Sequence, residues 1–237
     1  MRTIIVGDVH GCRLELERLL ERVRFSSGDR LVFVGDLIAR GPDSRGVLDL
    51  ARSTGALIVR GNHEQKLLDW RDDDEIALSR THMDVARGMR DVDWTLLETS
   101  PLWIDLPEHG ARVVHAGVLP GVPIERQVPD TLMRIRTVGV RGSKKSSHKA
   151  HGIPWATLYR GPPQIVFGHN ALAGLQLQPW ATGLDTACVY GGGLTAMVLR
   201  EGERIPQSTA RRRALLVRQP AARAYFEPSK KFRIHAA

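Results

Sequence analysis

The sequence predicts an α/β fold in which buried strands carry polar residues to one crevice. Five short runs rich in Ile, Val and Leu each lead into a polar cluster, in the segments IIVGDVHG, LVFVGDLIARGPDS, LIVRGNHE, RVVHAGV and IVFGH. Apolar runs of this length that stop at a polar cluster are typical of buried strands that end in a loop. Because helical stretches separate them, we expect a largely parallel sheet whose strand ends meet at one edge.

The elements between these strands follow in order. After the first strand, CRLELERLLERV has leucines at helical spacing, and residues 44–53 and 63–70 have the character of further helices. Residues 71–100 are polar and acidic and end in the helix-like segment DVDWTLLE, which predicts a small helical cap beside the crevice. Within residues 120–163, the segment RGSKKSSHKAHG is predicted to be a mobile loop. Near the C-terminus, ALLVRQ is predicted to add a strand.

The polar clusters supply side chains that bind metals. They contain Asp8, His10, Asp36, Asn62, His63, His115 and His169. Carboxylate, carboxamide and imidazole ligands suit divalent ions such as Mn²⁺, Fe²⁺, Zn²⁺ or Mg²⁺, whereas a soft site would need cysteine. Two such ions roughly 3.5–4 Å apart can activate a water and hold the oxygens of an in-line phosphoryl displacement. Hydrolysis of a phosphate ester or anhydride is therefore the leading chemistry.

In this order, GDVHG, GDLIARGPDS, GNHE, HAG and FGH resemble the signature of the calcineurin-like metallophosphoesterases, in the branch that contains the phosphoprotein phosphatases. The stretch LDTACVYGGGLTAMVL is similar to the closing strand segment of that branch, especially in its bacterial diadenosine-tetraphosphatase-like members. The resemblance extends over residues 3–200. It implies two packed mixed β-sheets that are flanked by helices, and a dinuclear metal centre that hydrolyses phosphate compounds.

The resemblance also implies the metal ligands. The expected set is Asp8, His10 and Asp36 for the first ion, with Asp36 bridging to a second ion that is also bound by Asn62, His115 and His169. Mn²⁺ is the expected metal, and Co²⁺, Fe²⁺, Zn²⁺ and Mg²⁺ are compatible with the same ligands. The sequence does not choose among them, because availability often decides which ion is bound.

Further residues match the substrate side of the family's site. His63, in GNHE, matches the histidine that donates a proton to the leaving group. Arg40 and Arg60 match arginines that hold the phosphate, a task that suits the guanidinium fork. Arg136 matches a third phosphate-binding arginine, although a purely structural role is equally compatible with its basic surroundings. Tyr190 lies in a segment that approaches the substrate in relatives.

One departure from the family pattern bears on the substrate. Relatives that act on phosphoproteins usually carry Asp, which orients the proton-donating histidine, where this chain has Ala39. An alkoxide leaving group needs that proton more than a nucleotide phosphate leaving from an anhydride does. Symmetrical diadenosine tetraphosphatases also tend to have ARGP here. We therefore expect hydrolysis of diadenosine tetraphosphate and related dinucleoside polyphosphates, symmetrically to ADP, with a serine/threonine protein phosphatase as the alternative and capped RNA as another possible substrate.

Composition agrees with an enzyme that folds around one core. The chain has 237 residues, 42% of them hydrophobic, and only two cysteines, Cys12 and Cys188. It contains no apolar run of membrane-spanning length, and its start leads directly into the first strand instead of a signal peptide. We expect a cytoplasmic enzyme in a reducing compartment that makes no membrane contact.

Charge divides the chain into a catalytic domain, residues 1–203, and a basic extension, residues 204–237. The extension has nine Lys or Arg and one Glu, a net charge of +8 that equals the formal charge of the whole chain. Its RRR and SKK segments either attract polyanions such as RNA or keep a flexible terminus solvated. The third hypothesis is therefore a nucleic-acid-binding protein with a vestigial metal site. Filter binding of RNA with and without the extension would separate it from the enzymes.

The remaining histidines receive no site role at this stage. His82 lies in a polar, helix-like stretch, and the others have no strand-end context, so that we expect solvated side chains at His109, His148, His151 and His235.

Overall fold

Each apolar run of the signature segments forms a strand that ends where the sequence turns polar. The computed structural model describes residues 1–139, the backbone of residues 146–147, and residues 152–227. The strands are β1 (Thr3–Val6), β2 (Arg30–Phe33), β3 (Leu57–Ile58), β4 (Trp103–Leu106), β5 (Ala111–Val114), β6 (Thr137–Val138), β7 (Ser146–Ser147), β8 (Ile153–Pro154), β9 (Gln164–Phe167), β10 (Gln176–Gln178), β11 (Ala181–Gly183), β12 (Gly193–Leu199) and β13 (Leu216–Pro220). The helices are α1 (Arg13–Arg22), α2 (Ser44–Ser53), α3 (Asn62–Asp72), α4 (Arg80–Gly88), α5 (Asp91–Thr99), α6 (Pro129–Arg134), α7 (Trp155–Leu158) and α8 (Thr209–Arg213).

Two mixed sheets of five strands carry most of these elements. The first has the order β13-β12-β1-β2-β3, with β1, β2 and β3 parallel and β12 antiparallel to both β1 and β13. The second has the order β10-β11-β9-β5-β4, in which β9 is parallel to β5 and β11. A small sheet, β7-β6-β8, lies outside them. The prediction of two mixed sheets flanked by helices is confirmed.

Alternation along β1 shows how the layers pack. Ile5 joins an apolar cluster with Val113 and Val166 of the second sheet, so this face lies between the two sheets. Ile4 and Val6 point the other way and pack with α1 residues such as Leu19. Successive side chains of a strand face opposite sides of its sheet. Both faces of β1 are thus covered, which explains why the run IIV is continuously apolar.

The helical cap, residues 71–100, contains the end of α3 together with α4 and α5. Its α5 is tied to α2 by ion pairs, because the fully buried carboxylate of Asp93 contacts Arg52 of α2 and Arg90. Asp49 of α2 contacts the same two arginines. The cap is therefore attached to α2 by a network of four ion pairs.

The basic extension is partly built into the fold. The expected strand in ALLVRQ corresponds to β13, which pairs with β12. Of the three arginines in the RRR segment, Arg211 and Arg213 are exposed, whereas Arg212 is fully buried and donates to the Ala181 carbonyl at 3.1 Å and to the Thr182 hydroxyl at 2.8 Å. Interpreting the whole RRR segment as a solvated charge cluster was therefore wrong for Arg212.

His109 also differs from expectation. It is buried, and its ring nitrogens contact the Glu203 carbonyl at 2.7 Å and the Thr3 hydroxyl at 2.8 Å. It thus joins β1 to the turn after β12, a long-range contact with no local sequence signal. The mobile loop predicted at 141–152 lies almost entirely outside the described residues, as do His148, His151, His235 and the predicted flexible end.

Along the parts of the chain that the structure describes, no helix has the length and apolar character needed to cross a bilayer.

Candidate active site

The polar clusters that follow the strands meet at one edge of the two sheets. Asp8 and His10 follow β1, Asp36 follows β2, and Asn62 and His63 begin α3 after β3. From the second sheet, His115 follows β5 and His169 follows β9. Parallel strands bring their carboxyl ends to the same edge, and β1, β2 and β3 are parallel, as are β5 and β9. The seven side chains predicted from sequence are thereby brought together.

Asp36 lies at the centre of this group. Its Oδ2 is 3.4 Å from His115 Nε2, 3.6 Å from His10 Nε2 and 4.0 Å from His63 Nε2. Its Oδ1 accepts a hydrogen bond of 3.0 Å from the backbone N–H of His63. The buried Glu64 holds the loop in turn, because its carboxylate accepts the backbone N–H groups of Asp36 and Leu37 at 2.9 and 2.8 Å.

The orientation of two imidazoles is set by backbone carbonyls. His10 Nδ1 lies 3.0 Å from the Ile38 carbonyl, and His115 Nδ1 lies 2.9 Å from the Val34 carbonyl. A carbonyl oxygen only accepts, so Nδ1 carries the proton in each ring and Nε2 faces Asp36. Metal-binding histidines commonly use their second nitrogen in this way.

Two sets of donors share the Asp36 carboxylate. The first combines Asp36 with His10 and His63, and the second combines it with His115 and His169; within each set the donor atoms lie within 4.8 Å of one another. Asn62 Oδ1 adds an oxygen donor 3.1 Å from His115 Nε2. The other expected ligand, Asp8, accepts the His169 backbone N–H at 3.0–3.1 Å and therefore joins the two strand ends.

The charges of this buried group favour a cation. Burial would raise the pKa of Asp36, but His115 and His63 hold it well below its ordinary value. Burial opposes protonation of His115, yet Asp36 raises its pKa to about 9. Burial and the neighbouring Asp185 raise the pKa of Asp8 well above its usual range. A divalent cation would compensate the same carboxylates, displacing the proton from His115, and the oxygen and imidazole donors fit such an ion.

Backbone strain is concentrated in the same loops. His10, Asp36, Arg40 and His169 have φ values of 49°, 51°, 68° and 68°, in the left-handed region that residues other than glycine rarely adopt. Such residues persist where the surrounding structure forces them, and they often mark functional sites. Here the strain turns polar side chains from the strand ends into one buried group.

A cavity of about 460 Å³ opens over this group. Arg40, Arg136 and Tyr190 line it, together with His63 and His169. Arg40 donates to His10 Nε2 at 2.7 Å, and its guanidinium carbon is 5.6 Å from the centre of the Tyr190 ring. Four of the five expected substrate-side residues, including His63, therefore lie at the cavity.

Arg60 is placed elsewhere, contrary to the expected phosphate contact. Its guanidinium donates to the carbonyls of Glu98 and Ser100 at 2.6 and 3.2 Å, and to Gln65 Oε1 at 3.2 Å. Free carbonyls at the end of α5 attract a cation, and β3 directs this arginine toward them. Arg60 thus holds the cap to the strand and does not line the cavity in the described part of the chain.

Two of the cavity-wall residues that sequence reasoning missed are buried and titratable, His82 and Asp185. His82, in α4 of the cap, is buried, and its ring stacks on that of His63. Asp185 is buried near the donor sets, and burial raises its pKa to about 6. The segment LDTACVYG had drawn attention to the neighbourhood of Asp185, whereas nothing in the local pattern around His82 indicated that α4 would cover the site.

Comparison with known proteins agrees with this geometry. The chain is 32% identical to the symmetrical bis(5'-nucleosyl)-tetraphosphatase of Chromohalobacter salexigens, over 86% of this chain and 96% of that protein. It is 29% identical to the asymmetrical bis(5'-nucleosyl)-tetraphosphatase PrpE of Oceanobacillus iheyensis, over 86% of this chain and 90% of the relative. A crystal structure provisionally assigned as a diadenosine tetraphosphatase superposes with a TM-score of 0.81 at 39% identity, covering 93% of each chain.

The family profile described as calcineurin-like phosphoesterase matches residues 1–200, the range that contains all the donor residues. The chain therefore belongs to the calcineurin-like metallophosphoesterase family of hydrolases.

Proposed function

We propose that this protein is a dinuclear metal-dependent phosphohydrolase that cleaves diadenosine tetraphosphate and related dinucleoside polyphosphates, with two ADP as the products of diadenosine tetraphosphate. The observation that carries the proposal is that Asp36 shares one donor set with His10 and another with His115 and His169, beneath a cavity lined by arginines. His63, the third member of the first set, is the proposed proton donor and not a ligand. The names of the relatives support the substrate class. Asp36 would be the bridging ligand of both metal ions.

The other proposed ligands divide between the two ions: Asp8 and His10 for the first, and Asn62, His115 and His169 for the second. Mn²⁺ is the metal we propose, and Co²⁺, Fe²⁺, Zn²⁺ or Mg²⁺ would suit the same donors. When bound, the ions supply an activated water and electrostatic stabilisation of the phosphoryl oxygens. The carbonyls of Ile38 and Val34 keep the rings of His10 and His115 in the orientation that this binding requires.

The cavity residues would bind the substrate and complete the proton transfer. Arg40 and Arg136 would pair with the anionic phosphates, because guanidinium groups donate in a fork that matches phosphate oxygens. Tyr190 would contact the substrate beside Arg40. His63 would hold its Nε2 proton toward the leaving oxygen, and its burial next to Asp36 keeps it within the site.

The surroundings of Ala39 favour an anhydride over a phosphoprotein. Because residue 39 is alanine, no carboxylate stands at that position to orient His63. Ala39 is itself buried and has a φ of 65°. Among the described residues, His63 Nδ1 is buried without a hydrogen-bond partner. A histidine held in this way is less suited to protonating an alkoxide than to assisting a nucleotide phosphate, which leaves readily. A serine/threonine protein phosphatase is the second candidate, because it would use the same metal ligands.

Substrate competition tests the proposal. The Mn²⁺-loaded protein is incubated with diadenosine tetraphosphate and, separately, with a phosphoserine peptide, and the products are resolved by chromatography. We expect two ADP at a rate far above phosphate release from the peptide. AMP and ATP as products would contradict the symmetry of cleavage alone, whereas a clear preference for the peptide would replace the proposal with the protein phosphatase.

A further inference from the structure

An aromatic side chain from the C-terminal extension lines the catalytic cavity. Phe226 and Tyr190 both line it, and their rings meet edge to face with centres 6.3 Å apart. Leu172, a large apolar residue that is 39% exposed, lies in the same cavity. Phe226 lies beyond residues 1–200, to which the family profile extends, and within the basic extension, in a part for which the sequence predicted no site role. The cavity wall therefore includes a part that belongs to this chain's own C-terminal segment.

The segment that carries Phe226 is held by hydrogen bonds on both sides. The backbone N–H groups of Tyr225 and Phe226 donate to the Val189 carbonyl at 2.9 and 3.1 Å. The buried carboxylate of Glu15, in α1, accepts the Ala222 backbone N–H and the Tyr225 hydroxyl, each at 2.9 Å. These contacts position the Phe226 ring before any ligand enters, and a preorganised aromatic surface binds at a lower entropic cost.

The cavity lining combines a cationic part, formed by Arg40, Arg136 and Lys66, with an aromatic and apolar part, formed by Phe226, Tyr190 and Leu172. Arg40 connects the two parts, because it touches both His10 and the Tyr190 ring. A ligand that satisfies both parts carries phosphates joined to a flat aromatic group, which describes a nucleotide. A phosphoserine side chain satisfies the cationic part alone.

We infer that Phe226, supported by Tyr190, is the seat for a nucleobase of the substrate, and that the C-terminal segment thereby selects nucleotides. This inference rests on the proposed function, since it specifies which part of the dinucleotide the cavity recognises. Stacking on an aromatic side chain tolerates any base, because every base has a π face. The seat therefore predicts preference for a nucleoside end, without strong discrimination among bases.

Binding measurements on the Mn²⁺-loaded full chain test the seat. The probes are ADP, which carries a base, and inorganic pyrophosphate, which does not, and titration calorimetry measures their Kd values for the wild type, Phe226→Leu and Phe25→Leu. Phe25 is the matched control, because it packs at the edge of the core cluster around α1 and is absent from the described cavity lining. We expect Phe226→Leu to raise the Kd of ADP about tenfold and that of pyrophosphate by less than about twofold, with neither changed in Phe25→Leu.

Three results would overturn the seat: no ADP binding by the wild type, an unchanged Kd for ADP in Phe226→Leu, or equal losses for ADP and pyrophosphate. Turnover of diadenosine tetraphosphate, measured on the same preparations, tests the proposed function separately. A wild type that binds ADP through Phe226 but hydrolyses only the phosphopeptide would support the seat and reject the assignment of dinucleoside polyphosphates as the substrate.

Discussion

The ring of His82 lies stacked on the ring of His63, with centroids 4.7 Å apart and an angle of 15° between the planes. His82 comes from α4 of the cap. Its Nδ1 lies 2.7 Å from the Ser79 hydroxyl, and this hydrogen bond fixes the orientation of the His82 ring. Burial lowers the pKa of His82 to about 4, with Lys66 adding to the shift. A neutral ring thus covers one face of His63 and restricts its motion.

Replacing His82 should therefore slow catalysis through His63. We expect His82→Ala to lower kcat for diadenosine tetraphosphate about five- to tenfold, the scale of one lost aromatic contact, with KM nearly constant. His82→Phe, which keeps a stacked ring, should recover most of the rate. Steady-state kinetics of both variants provide the measurement. Loss of bound metal in His82→Ala, or no recovery in His82→Phe, would contradict a positioning role.

His63→Ala should separate the leaving groups. Metal content should persist, because the proposed ligands are unchanged, while turnover falls for lack of the proton donor. We expect a loss of about 100-fold or more with a phosphoserine peptide, whose alkoxide needs the proton, and a smaller loss with diadenosine tetraphosphate. Parallel rate measurements with the two substrates decide this. Equal losses of turnover with the two substrates would contradict the argument from Ala39 that an anhydride needs the proton of His63 less than an alkyl phosphate does.

Asp36→Asn should remove the bridge between the two metal ions. The side chain keeps its shape but loses the charge on which three imidazoles converge at 3.4–4.0 Å. We expect bound Mn²⁺ to fall below one ion per chain and activity to drop by about 100-fold or more. Elemental analysis after gel filtration measures the metal, and circular dichroism verifies the fold. Full metal content in a folded Asp36→Asn protein would exclude the shared-ligand arrangement.

Gly168 offers a way to disturb the metal site without changing a ligand. A Cβ atom at Gly168 would overlap Asp8 Oδ1, whereas a Cβ atom at Gly88, in α4, would meet no neighbouring atom within 4 Å. We expect Gly168→Ala to weaken Mn²⁺ binding about 10- to 100-fold, the range typical of lost support around a ligand, and Gly88→Ala to leave it unchanged. Titration of the metal-free variants with Mn²⁺ measures both. Equal affinities for the two variants would mean that Asp8 is not a ligand.

Arg212→Leu should destabilise the fold although the residue lies in a basic segment. Its guanidinium donates to the Ala181 carbonyl and the Thr182 hydroxyl, and these buried acceptors would lose their donor. We expect the free energy of unfolding in urea to fall by about 2–4 kcal/mol. Arg211→Leu, at the exposed neighbour, should change it by less than about 0.5 kcal/mol. Similar losses for both variants would show that the burial of Arg212 does not matter for stability.

The burial of Arg212 also changes the design of the test for polyanion binding. Deleting residues 204–237 would remove β13 and Arg212 together with the surface charge, so lost RNA binding would not identify its cause. Neutralising the exposed Arg211 and Arg213 is the cleaner comparison in filter binding.

The sequence alone indicated the family of this protein and a phosphohydrolase chemistry, because the polar clusters of the family signature follow apolar runs. Asp8 and His115 could be placed at strand ends, since a buried strand and the turn that ends it are local properties of the chain. The same locality predicted α1 and β13. What the sequence predicted well was therefore whatever depends on neighbours within about ten residues.

Only the tertiary structure decided which other side chains surround the proposed metal ligands. The resemblance implied that Arg60 contacts the phosphate, but Arg60 donates to a carbonyl at the end of α5 in the cap. The sequence assigned His82 no role, but the position of α4 stacks His82 on His63. Arg212 and Phe226 belong to one basic segment, and only the packing of that segment buries one and places the other at the cavity. The direction of a side chain depends on elements distant in sequence, whose packing no local pattern records.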